Sequence, residues 1–595
     1  MPNRRKAAVL LSCGEVIMSY HHLLTEEGEH LLGQLKENPA YCPWNVYPRP
    51  QLRRDSFFCL NGSWIFRSSP EQKETETILV PFPPESRLSG ICRHMGEKPE
   101  LYYKKLFRLP DGFVKDRVLL HFGAVDQTAK VILNGRELGK HSGGYDPFSF
   151  EITEYLESEN VLEVYVTDDL KSKLLPYGKQ REKRGGMWYT PISGIWQTVW
   201  IESVSRDYIK NLHIQTTANT IKITAEGVQD GEVTVYTPSG TICALMQNGT
   251  AEIVIPDPRM WSPEDPYLYS FTVRTETDSA DSYFALRTLD IREVNGIPRI
   301  CLNGKPYFFN GLLDQGYYAD GIFTPAAPSS YTKDIETAKS MGFNMLRKHI
   351  KSEPECFYYD CDRLGMIVFQ DMINNGNYSF LRDTALPTVG LKRMPDILMH
   401  RNHAQRKAFA ETMENTVRRL YNHPCICCWT IFNEGWGQFC GSNMYRELRK
   451  LDDSRIIDTA SGWFSGVESD VESIHVYFKP VRIRPADKPA ILSEFGGYSC
   501  KIEDHSYNTE KTYGYRFYDN TVSLEDALLR LYEEEIIPAV KTGMCGAVYT
   551  QLSDVEDETN GLLTYDRRIL KVNREKMQKM SEKLYEEMHS TSEIP

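Results

Sequence analysis

The hydrophobic pattern of the chain changes near Gly296, and this change limits the possible folds more than any other feature. Before it, short alternating runs such as Ile221-Lys222-Ile223-Thr224 are separated by turn-forming residues. After it, helix-like and strand-like segments alternate to the end of the 595-residue chain. Short strands without helices favour β-sandwiches, whereas alternating strands and helices favour a parallel sheet. The sequence therefore predicts β-sandwich domains followed by a closed (β/α)8 barrel, which takes about 250 residues.

The same pattern gives expected domain boundaries. We expect an N-terminal extension at 1–40, a β-sandwich at 41–205, an immunoglobulin-like sandwich at 206–296 and the barrel at 297–595. Residues 21–36 are predicted to form a short helix in the extension. Asn61-Gly62 and Asn134-Gly135 have the composition of hairpin turns. Within the barrel segment, the periodicity predicts helices at 334–342, 355–364 and 403–421 and strands at 343–346, 366–369 and 425–431.

Composition excludes several classes of protein. The net charge is −12, so a general nucleic-acid binder is not expected, because such a protein needs a basic surface. The 14 cysteines are scattered apart from one cluster, Cys425, Cys427 and Cys428, which favours free thiols over disulfides or zinc ribbons. Arg4–Lys6 and the apolar Ala7–Cys13 resemble a short signal peptide, but Glu15 follows at once. We expect a cytoplasmic protein with no membrane partner.

Two predicted barrel strands end in a single glutamate. The first runs from Trp429 to Asn433 and is followed by Glu434, and the second runs from Ala490 into Glu494. The carboxyl ends of barrel strands meet at one face, so both carboxyl groups can point to one site. Gly496 and Gly497 follow the second glutamate and are expected to let a ligand approach closely.

Paired carboxyl groups are the machinery of most glycosidases. Retaining enzymes hold them about 5 to 5.5 Å apart, and inverting enzymes about 6.5 to 9.5 Å apart. The alternative is that each glutamate only caps its strand or pairs with an arginine. The presence of both at two strand ends favours the catalytic interpretation.

Motifs along most of the chain resemble those of glycoside hydrolase family 2, which contains β-galactosidases, β-glucuronidases and β-mannosidases. The resemblance extends from about Tyr47 almost to the C-terminus. The motifs are Arg54-x-x-Phe57-x-x-Leu60-Asn61-Gly62-Ser63-Trp64, Gly143–Phe148, Ser193–Trp200, Asn303-Gly304-Lys305 as the opening of the first barrel strand, Asn344–His349, Asn422-His423-Pro424 and Asn433-Glu434. Their order and spacing are specific to the family, although each motif alone is weak.

The resemblance implies a fold and a reaction. The expected fold is a jelly-roll domain, an immunoglobulin-like sandwich and a (β/α)8 barrel, and the expected activity is that of a retaining exo-β-glycosidase. Glu434 matches the general acid/base and Glu494 the nucleophile. Asn433 matches the residue that holds the sugar 2-hydroxyl. Such a mechanism needs no metal or cofactor.

Eight further residues are expected to bind substrate, each with a structural alternative. Tyr477 resembles the tyrosine that hydrogen-bonds the nucleophile, but it could be a core aromatic. His349 and His423 resemble pocket histidines, but lone histidines are often structural. Arg347 could orient Glu494 or form a structural ion pair, and Asp371 could contact a sugar hydroxyl or cap a loop.

Three tryptophans complete the predicted site. Trp436 and Trp463 follow strand ends and could stack on a sugar face. Trp188 lies on a glycine-rich loop of the first sandwich, which in this family reaches the barrel mouth. Core packing is the alternative for Trp188.

The glycone is predicted less directly. Some β-galactosidases carry an acid where this chain has Gly186, and the late barrel lacks the Asn-x-Lys element with which β-glucuronidases grip the sugar carboxylate. We expect a β-galactosidase first, with β-glucuronidase, β-mannosidase or arabinosidase as alternatives. A non-catalytic carbohydrate-binding protein and a metal-dependent barrel hydrolase are rivals from other classes. The expected partner is a carbohydrate or glycoside, and a homo-oligomer is possible.

Overall fold

The computed structural model describes residues 21–69, 71–388 and 396–591. The signal-like segment Arg4–Cys13 lies outside these ranges. Within the predicted extension, helix α1 spans Glu26–Glu37, and the Thr25 hydroxyl caps it by accepting from the Gly28 N–H at 3.0 Å. The same hydroxyl donates to Asp320 at 2.6 Å, which docks the start of α1 onto the barrel domain.

The first domain is a two-sheet antiparallel β-sandwich. Its strands are β1 (Phe58–Cys59), β2 (Gly62–Arg67), β3 (Glu76–Val80), β4 (Glu100–Phe107), β5 (Arg117–Phe122), β6 (Val125–Asp126), β7 (Thr128–Leu133), β8 (Arg136–Ser142), β9 (Phe148–Glu151), β10 (Asn160–Thr167), β11 (Gly194–Ile195) and β12 (Val199–Val204). The two main sheets have the orders β1-β12-β5-β9 and β3-β2-β4-β10-β7-β8. Alternate residues of β10 are buried and pack between the sheets, as expected for strands with one solvated face.

The two predicted turns of this domain differ in outcome. Asn134-Gly135 joins the paired strands β7 and β8, with positive φ at both residues, so this hairpin is confirmed. The prediction for Asn61-Gly62 is wrong. It lies between β1 and β2, which belong to different sheets, so the chain there crosses the sandwich.

The second domain is a smaller sandwich. Its strands are β13 (Asn211–Thr216), β14 (Thr220–Glu226), β15 (Gly231–Thr237), β16 (Gly240–Met246), β17 (Thr250–Val254), β18 (Tyr269–Arg274) and β19 (Ser279–Phe284), in sheets β13-β14-β17 and β16-β15-β18-β19. A small sheet of β20 (Leu289–Val294), β21 (Ile297–Leu302) and β22 (Lys305–Pro306) follows. Asn303-Gly304 is the turn between β21 and β22, so it precedes the first barrel strand rather than opening it.

The third domain is an eight-stranded parallel barrel surrounded by helices. Its strands are β23 (Phe309–Asp314), β24 (Met345–Lys348), β25 (Ile367–Asp371), β26 (Ile426–Asn433), β27 (Ile456–Ser461), β28 (Glu472–Val476), β29 (Ala490–Gly496) and β32 (Met544–Thr550), with the short pair β30 (Tyr498–Ser499) and β31 (Arg516–Phe517) above them. The order is β27-β26-β25-β24-β23-β32-β29-β28. Between β27 and β28, the Ser473 hydroxyl donates to Asp458 at 2.7 Å. The predicted fold class is confirmed.

The helices of the barrel domain follow the predicted pattern closely. They are α2 (Ser329–Ser340), α3 (Glu355–Leu364), α4 (Leu386–Thr388), α5 (His403–Leu420), α6 (Gly441–Leu451), α7 (Thr521–Leu531), α8 (Ile537–Val540) and α9 (Arg574–Ser590). Asn402 caps α5 by accepting from the N–H groups of Ala404 and Gln405. Gly365 ends α3 in the left-handed conformation. No helix in the described ranges is long and apolar enough to cross a membrane.

All eight residues of β26 are buried, as is typical of a parallel strand covered on both faces. Cys427 and Cys428 lie within β26 and Cys425 just before it, and all three are free and buried.

Candidate active site

The barrel brings the two predicted glutamates together. Glu434 directly follows β26, and Glu494 lies near the carboxyl end of β29. One oxygen of each carboxyl group and one ring nitrogen of His475 all lie within 4.8 Å of one another. Carboxyl groups with oxygens this close fit the roughly 5 to 5.5 Å spacing of retaining glycosidases better than the roughly 6.5 to 9.5 Å of inverting ones.

Glu494 lies in a buried environment that favours its ionised form. Arg347 Nη1 donates to Oε1 at 3.2 Å, and the Tyr477 hydroxyl donates to Oε2. Burial raises the pKa of Glu494, but the charges of His475 and Arg347 and the Tyr477 hydrogen bond outweigh it, so the pKa falls below its ordinary value of 4.5. The carboxylate is therefore negative across the neutral range.

Arg347 connects Glu494 with two other predicted residues. Its Nε and Nη2 atoms donate to the two oxygens of Asp371 at 2.9 and 3.0 Å, and Nη2 also donates to Asn433 Oδ1 at 2.9 Å. Both Asp371 oxygens are thus engaged in a bidentate ion pair. The structure therefore gives Asp371 the role of fixing Arg347 rather than that of an open sugar ligand. Asn433 keeps its amide N–H₂ without an acceptor among the described residues.

Glu434 is more accessible than Glu494. Its side chain is 19% exposed, compared with 6% for Glu494. Its backbone has a φ of +52° and its N–H donates to the Ser461 carbonyl at 2.9 Å, which fixes the turn after β26. Non-glycine residues seldom adopt this conformation, and it is found preferentially at functional sites.

His475 was missing from the predicted site, although it contacts both glutamates. Its Nδ1 lies 2.9 Å from Glu434 Oε1, and its Nε2 lies 3.6 Å from Glu494 Oε1 and 3.0 Å from Ser461 Oγ. Because strand side chains alternate, a residue two positions before Tyr477 points to the same face, and this signal identifies His475.

The two predicted pocket histidines have different locations. His349 lies at the site, with Nδ1 3.0 Å from Gln315 Oε1 and Nε2 3.6 Å from Glu494 Oε1. Burial, together with the positive charges of Lys179 and Arg347, holds its pKa well below its ordinary value of 6.5, so it is neutral.

The prediction for His423 is wrong. It precedes β26, so it lies at the amino end of the strand, opposite Glu434. Its Nδ1 lies 2.7 Å from Asp362 Oδ2 and 3.2 Å from the Tyr283 hydroxyl, and no part of its side chain is exposed. A residue in the Asn-His-Pro segment before a strand cannot reach the opposite end of that strand.

The predicted tryptophans lie around the glutamates. Trp188 reaches from the first sandwich and packs edge-on against Trp436, with ring centroids 5.0 Å apart. Trp463 lies 5.6 Å from the His475 ring. All three are buried, so they form an apolar wall rather than a broad open stacking face.

The expected use of Gly496 and Gly497 is wrong. Both have positive φ, and a Cβ added to them would lie 2.4 Å from the Tyr549 ring and 2.2 Å from the Tyr515 ring, respectively. Tyrosine rings, and not a ligand, occupy the space that these glycines leave.

Within the described part of the chain, one cluster has the composition of a metal site, and it is the same trio of Glu434, His475 and Glu494. Arg347 already places a guanidinium charge 3.2 Å from Glu494. That cation opposes a metal ion on the same carboxylate, so we interpret the trio as acid–base machinery.

Comparisons with known proteins agree with this architecture. Three family models match: the sugar binding domain of glycosyl hydrolases family 2 at residues 90–202, the glycosyl hydrolases family 2 model at residues 204–287, and the family 2 TIM barrel domain at residues 293–496. The last match includes both glutamates.

Relatives and solved structures extend the comparison. A β-galactosidase of Thermoanaerobacter pseudethanolicus is 25% identical over 389 residues, which is 60% of this chain and 47% of that protein. A β-glucuronidase of Felis catus is 24% identical over 450 residues, 65% of each chain. These matches span about half to two thirds of the relatives' length.

The solved β-D-glucuronidase of Dictyoglomus thermophilum superposes with a TM-score of 0.68 at 19% identity, and the match covers 92% of this chain and 99% of that one. This likeness shows the fold. Together with three consecutive family models in the expected order, it shows that the chain belongs to glycoside hydrolase family 2.

Proposed function

We propose that this protein is a retaining β-glycosidase that removes a terminal sugar by double displacement. The observation that carries the proposal is the pair of strand-end carboxyl groups, Glu434 and Glu494, with oxygens within 4.8 Å of each other. This spacing leaves room for the anomeric carbon. It leaves no room for the additional water molecule that an inverting mechanism places between a carboxylate and the sugar.

In the first step, a Glu494 oxygen attacks the anomeric carbon while Glu434 gives its proton to the departing glycosidic oxygen. The bond to the aglycone breaks and a covalent glycosyl–enzyme ester forms. In the second step, Glu434 takes a proton from water, the water oxygen attacks the anomeric carbon, and Glu494 leaves as a carboxylate. The sugar is released with its original β configuration.

The contacts around each glutamate fit these separate tasks. Arg347 and Tyr477 hold Glu494 ionised and aim it, which a nucleophile needs. Among the described residues, Glu434 lies within ion-pair distance of His475 only, and its side chain is 19% exposed, which suits a residue that exchanges protons with aglycone and water. The free amide N–H₂ of Asn433 is suited to bind the sugar 2-hydroxyl, a contact that strengthens in the transition state.

For the glycone, we propose β-glucuronide first and β-galactoside second. The sequence alone favours β-galactoside, and the Thermoanaerobacter relative is named as a β-galactosidase. However, the Felis catus relative and the solved structures from Dictyoglomus thermophilum, Bifidobacterium dentium and Ruminococcus gnavus are named as β-glucuronidases, and one from Eisenbergiella tayi as a β-galacturonidase. These names support an acidic sugar over a neutral one.

Rescue of the nucleophile variant tests the mechanism. Glu494→Gly is expected to lose turnover of aryl β-glycosides, and azide is expected to restore it by giving the α-glycosyl azide, because azide enters from the face that Glu494 occupied. The wild-type enzyme is expected to release the β-anomer first, as followed by NMR. Release of the α-anomer would contradict the retaining mechanism. Absence of turnover on every aryl β- and α-glycoside would favour the non-catalytic carbohydrate-binding alternative.

A further inference from the structure

Lys179 is a largely buried residue whose ammonium group has no counter-ion among the described residues. It lies on the segment between β10 and β11, which reaches from the first sandwich to the barrel mouth, and only 9% of it is exposed. Across the described residues, no side chain or carbonyl lies within hydrogen-bond or ion-pair distance of its Nζ. The Nζ atom lies 5.9 Å from the centroid of the Trp188 ring. Trp188 in turn packs on Trp436, two residues after Glu434.

The charge of the Lys179 ammonium group reaches the catalytic side chains. It acts electrostatically on Glu494, His349 and Glu558, while lying more than 4 Å from both acids. Burying an ammonium without an anion is costly. The position of Lys179 therefore calls for an anion that arrives with the ligand.

The two acids within its reach already have other partners. Glu494 accepts from Arg347 and Tyr477. Glu558 accepts from the Tyr189 hydroxyl, and from Asn560 Nδ2 at 3.0 Å. Neither can move onto Lys179 without leaving those donors unpaired, which is itself costly in a buried site.

The surrounding segment has the charge expected of an anion site. Residues 179–184, Lys-Gln-Arg-Glu-Lys-Arg, carry a net charge of +3 in a chain with a net charge of −12. Arg184 forms ion pairs with Glu556 and Asp557, and Lys183 points to solvent. Arg181 stacks on the Trp188 ring at 4.5 Å. Gly186, two residues before Trp188, adds no negative charge.

We propose that Lys179 receives a carboxylate on the glycone, so that the enzyme acts on glycosides of uronic acids. The inference rests on the proposed glycosidase function. A uronic acid carries its carboxylate beside the ring oxygen. A cation near Glu494 can neutralise that group while the anomeric carbon faces Glu494. Without such a cation, the carboxylate would enter a site that already contains two glutamates.

Paired substrates isolate the carboxylate. p-Nitrophenyl β-D-glucuronide and β-D-glucoside differ only in a carboxylate in place of a CH₂OH group, as do the galacturonide and the galactoside. We expect the wild-type enzyme to prefer the uronide of each pair. For each pair, the ratio of kcat/KM for the uronide to kcat/KM for the neutral glycoside is expected to fall by about 10- to 100-fold in Lys179→Met, mainly through a higher KM for the uronide. A hydrogen bond to a charged group contributes a free energy of this size.

Two variants act as controls. Lys179→Arg keeps the charge and is expected to retain part of the preference. Lys183→Gln removes a cation from the same segment that is exposed to solvent, and it is expected to leave the ratio unchanged. Circular dichroism of each variant checks that the fold is intact.

The outcomes separate the anion site from the catalytic proposal. A wild-type preference for neutral glycosides, or an equal loss on both members of a pair in Lys179→Met, would overturn the anion site while leaving a glycosidase. If no glycoside is hydrolysed, calorimetry with glucuronic and galacturonic acids against glucose and galactose decides. If the wild-type protein binds the uronic acids but not the neutral sugars, and Lys179→Met does not bind the acids, the anion site is supported even though the glycosidase proposal fails. Unchanged or absent binding of the acids overturns it.

Discussion

The two ends of strand β26 each hold a histidine paired with a carboxyl group, yet they differ in access. At the amino end, His423 lies 2.7 Å from Asp362, and neither side chain is exposed. At the carboxyl end, His475 lies 2.9 Å from Glu434, whose side chain is 19% exposed. The same chemical pair is therefore sealed at one end and open at the other.

The sealed pair is tied to structure on every side. Asp362 also accepts from the Tyr283 hydroxyl at 2.7 Å and from the Cys425 N–H at 2.8 Å. This joins α3, the second sandwich and the start of β26. The open pair instead faces a second carboxylate, Glu494. A buried pair of titratable side chains does not by itself identify an active site, because such a pair can also serve stability. Breaking a buried pair is destabilising in either case.

Glu494→Gln is expected to have the largest effect on activity. Glutamine keeps the shape but cannot form the covalent intermediate, so kcat is expected to fall by about 10⁴-fold or more, as for other essential nucleophiles. Initial rates on the best aryl β-glycoside measure this.

The melting temperature of Glu494→Gln provides the control, because the variant should remain folded. A folded variant with more than a tenth of wild-type activity would show that Glu494 is not the nucleophile. The carboxyl end of β26 could then no longer be distinguished from the amino end as the catalytic one.

Glu434→Gln is expected to have the next largest effect, and the effect depends on the leaving group. A poor leaving group needs its proton, so kcat/KM for alkyl glycosides is expected to fall by about 10² to 10⁴-fold. Aryl glycosides with acidic leaving groups need little help in the first step and should lose much less in kcat/KM. Equal losses across a leaving-group series would contradict an acid role for Glu434.

Much of the fold and part of the site could be predicted from the sequence. The barrel was predictable because a period near 3.6 alternates with short apolar runs, and the α3 prediction, 355–364, matches the observed helix. Glu434 and Glu494 were predictable as polar residues that end apolar strands. Both signals are local in the sequence.

The parts that were missed depend on contacts between distant segments. His423 sits in a family-like motif, but its place before β26 puts it at the wrong end of the barrel. Gly496 and Gly497 indicate an available space, but only the fold shows that Tyr549 and Tyr515 fill it. Lys179 lies in the same inter-strand segment as Trp188, which the family resemblance places at the barrel mouth, but the sequence does not show which charged residue of that segment lies near Glu494.

Tyr477→Phe is expected to have a moderate effect that depends on pH. The Tyr477 hydrogen bond is one of the contacts that, against the effect of burial, lower the pKa of Glu494. Without it that pKa rises, so Glu494 becomes protonated at a higher pH and the acid limb of the kcat/KM profile moves upward. We expect a loss of about tenfold below pH 5 and a smaller one at pH 7, because one hydrogen bond to a charged group is worth about 1.5 to 3 kcal/mol.

A pH profile of wild type and Tyr477→Phe on one substrate measures this shift. An acid limb that stays in place, with activity lowered equally at all pH values, would mean that Tyr477 only packs against Tyr515, whose ring centroid lies 3.7 Å away.

His423→Ala is expected to have the smallest effect on activity and a clear effect on stability. The substitution leaves Asp362 buried with only the Tyr283 hydroxyl and the Cys425 N–H, so the free energy of unfolding is expected to fall by about 3 kcal/mol. Because His423 lies at the opposite end of β26 from Glu434, kcat/KM of the folded enzyme should stay within about twofold of wild type. Urea unfolding and initial rates on the same preparation test both parts.

His475→Ala is the matched variant at the carboxyl end of β26, and it should lower kcat/KM and displace the pH profile of kcat/KM. A similar loss of kcat/KM in the two histidine variants would mean that the amino end of β26 controls the site through the strand, and that the two ends are not independent.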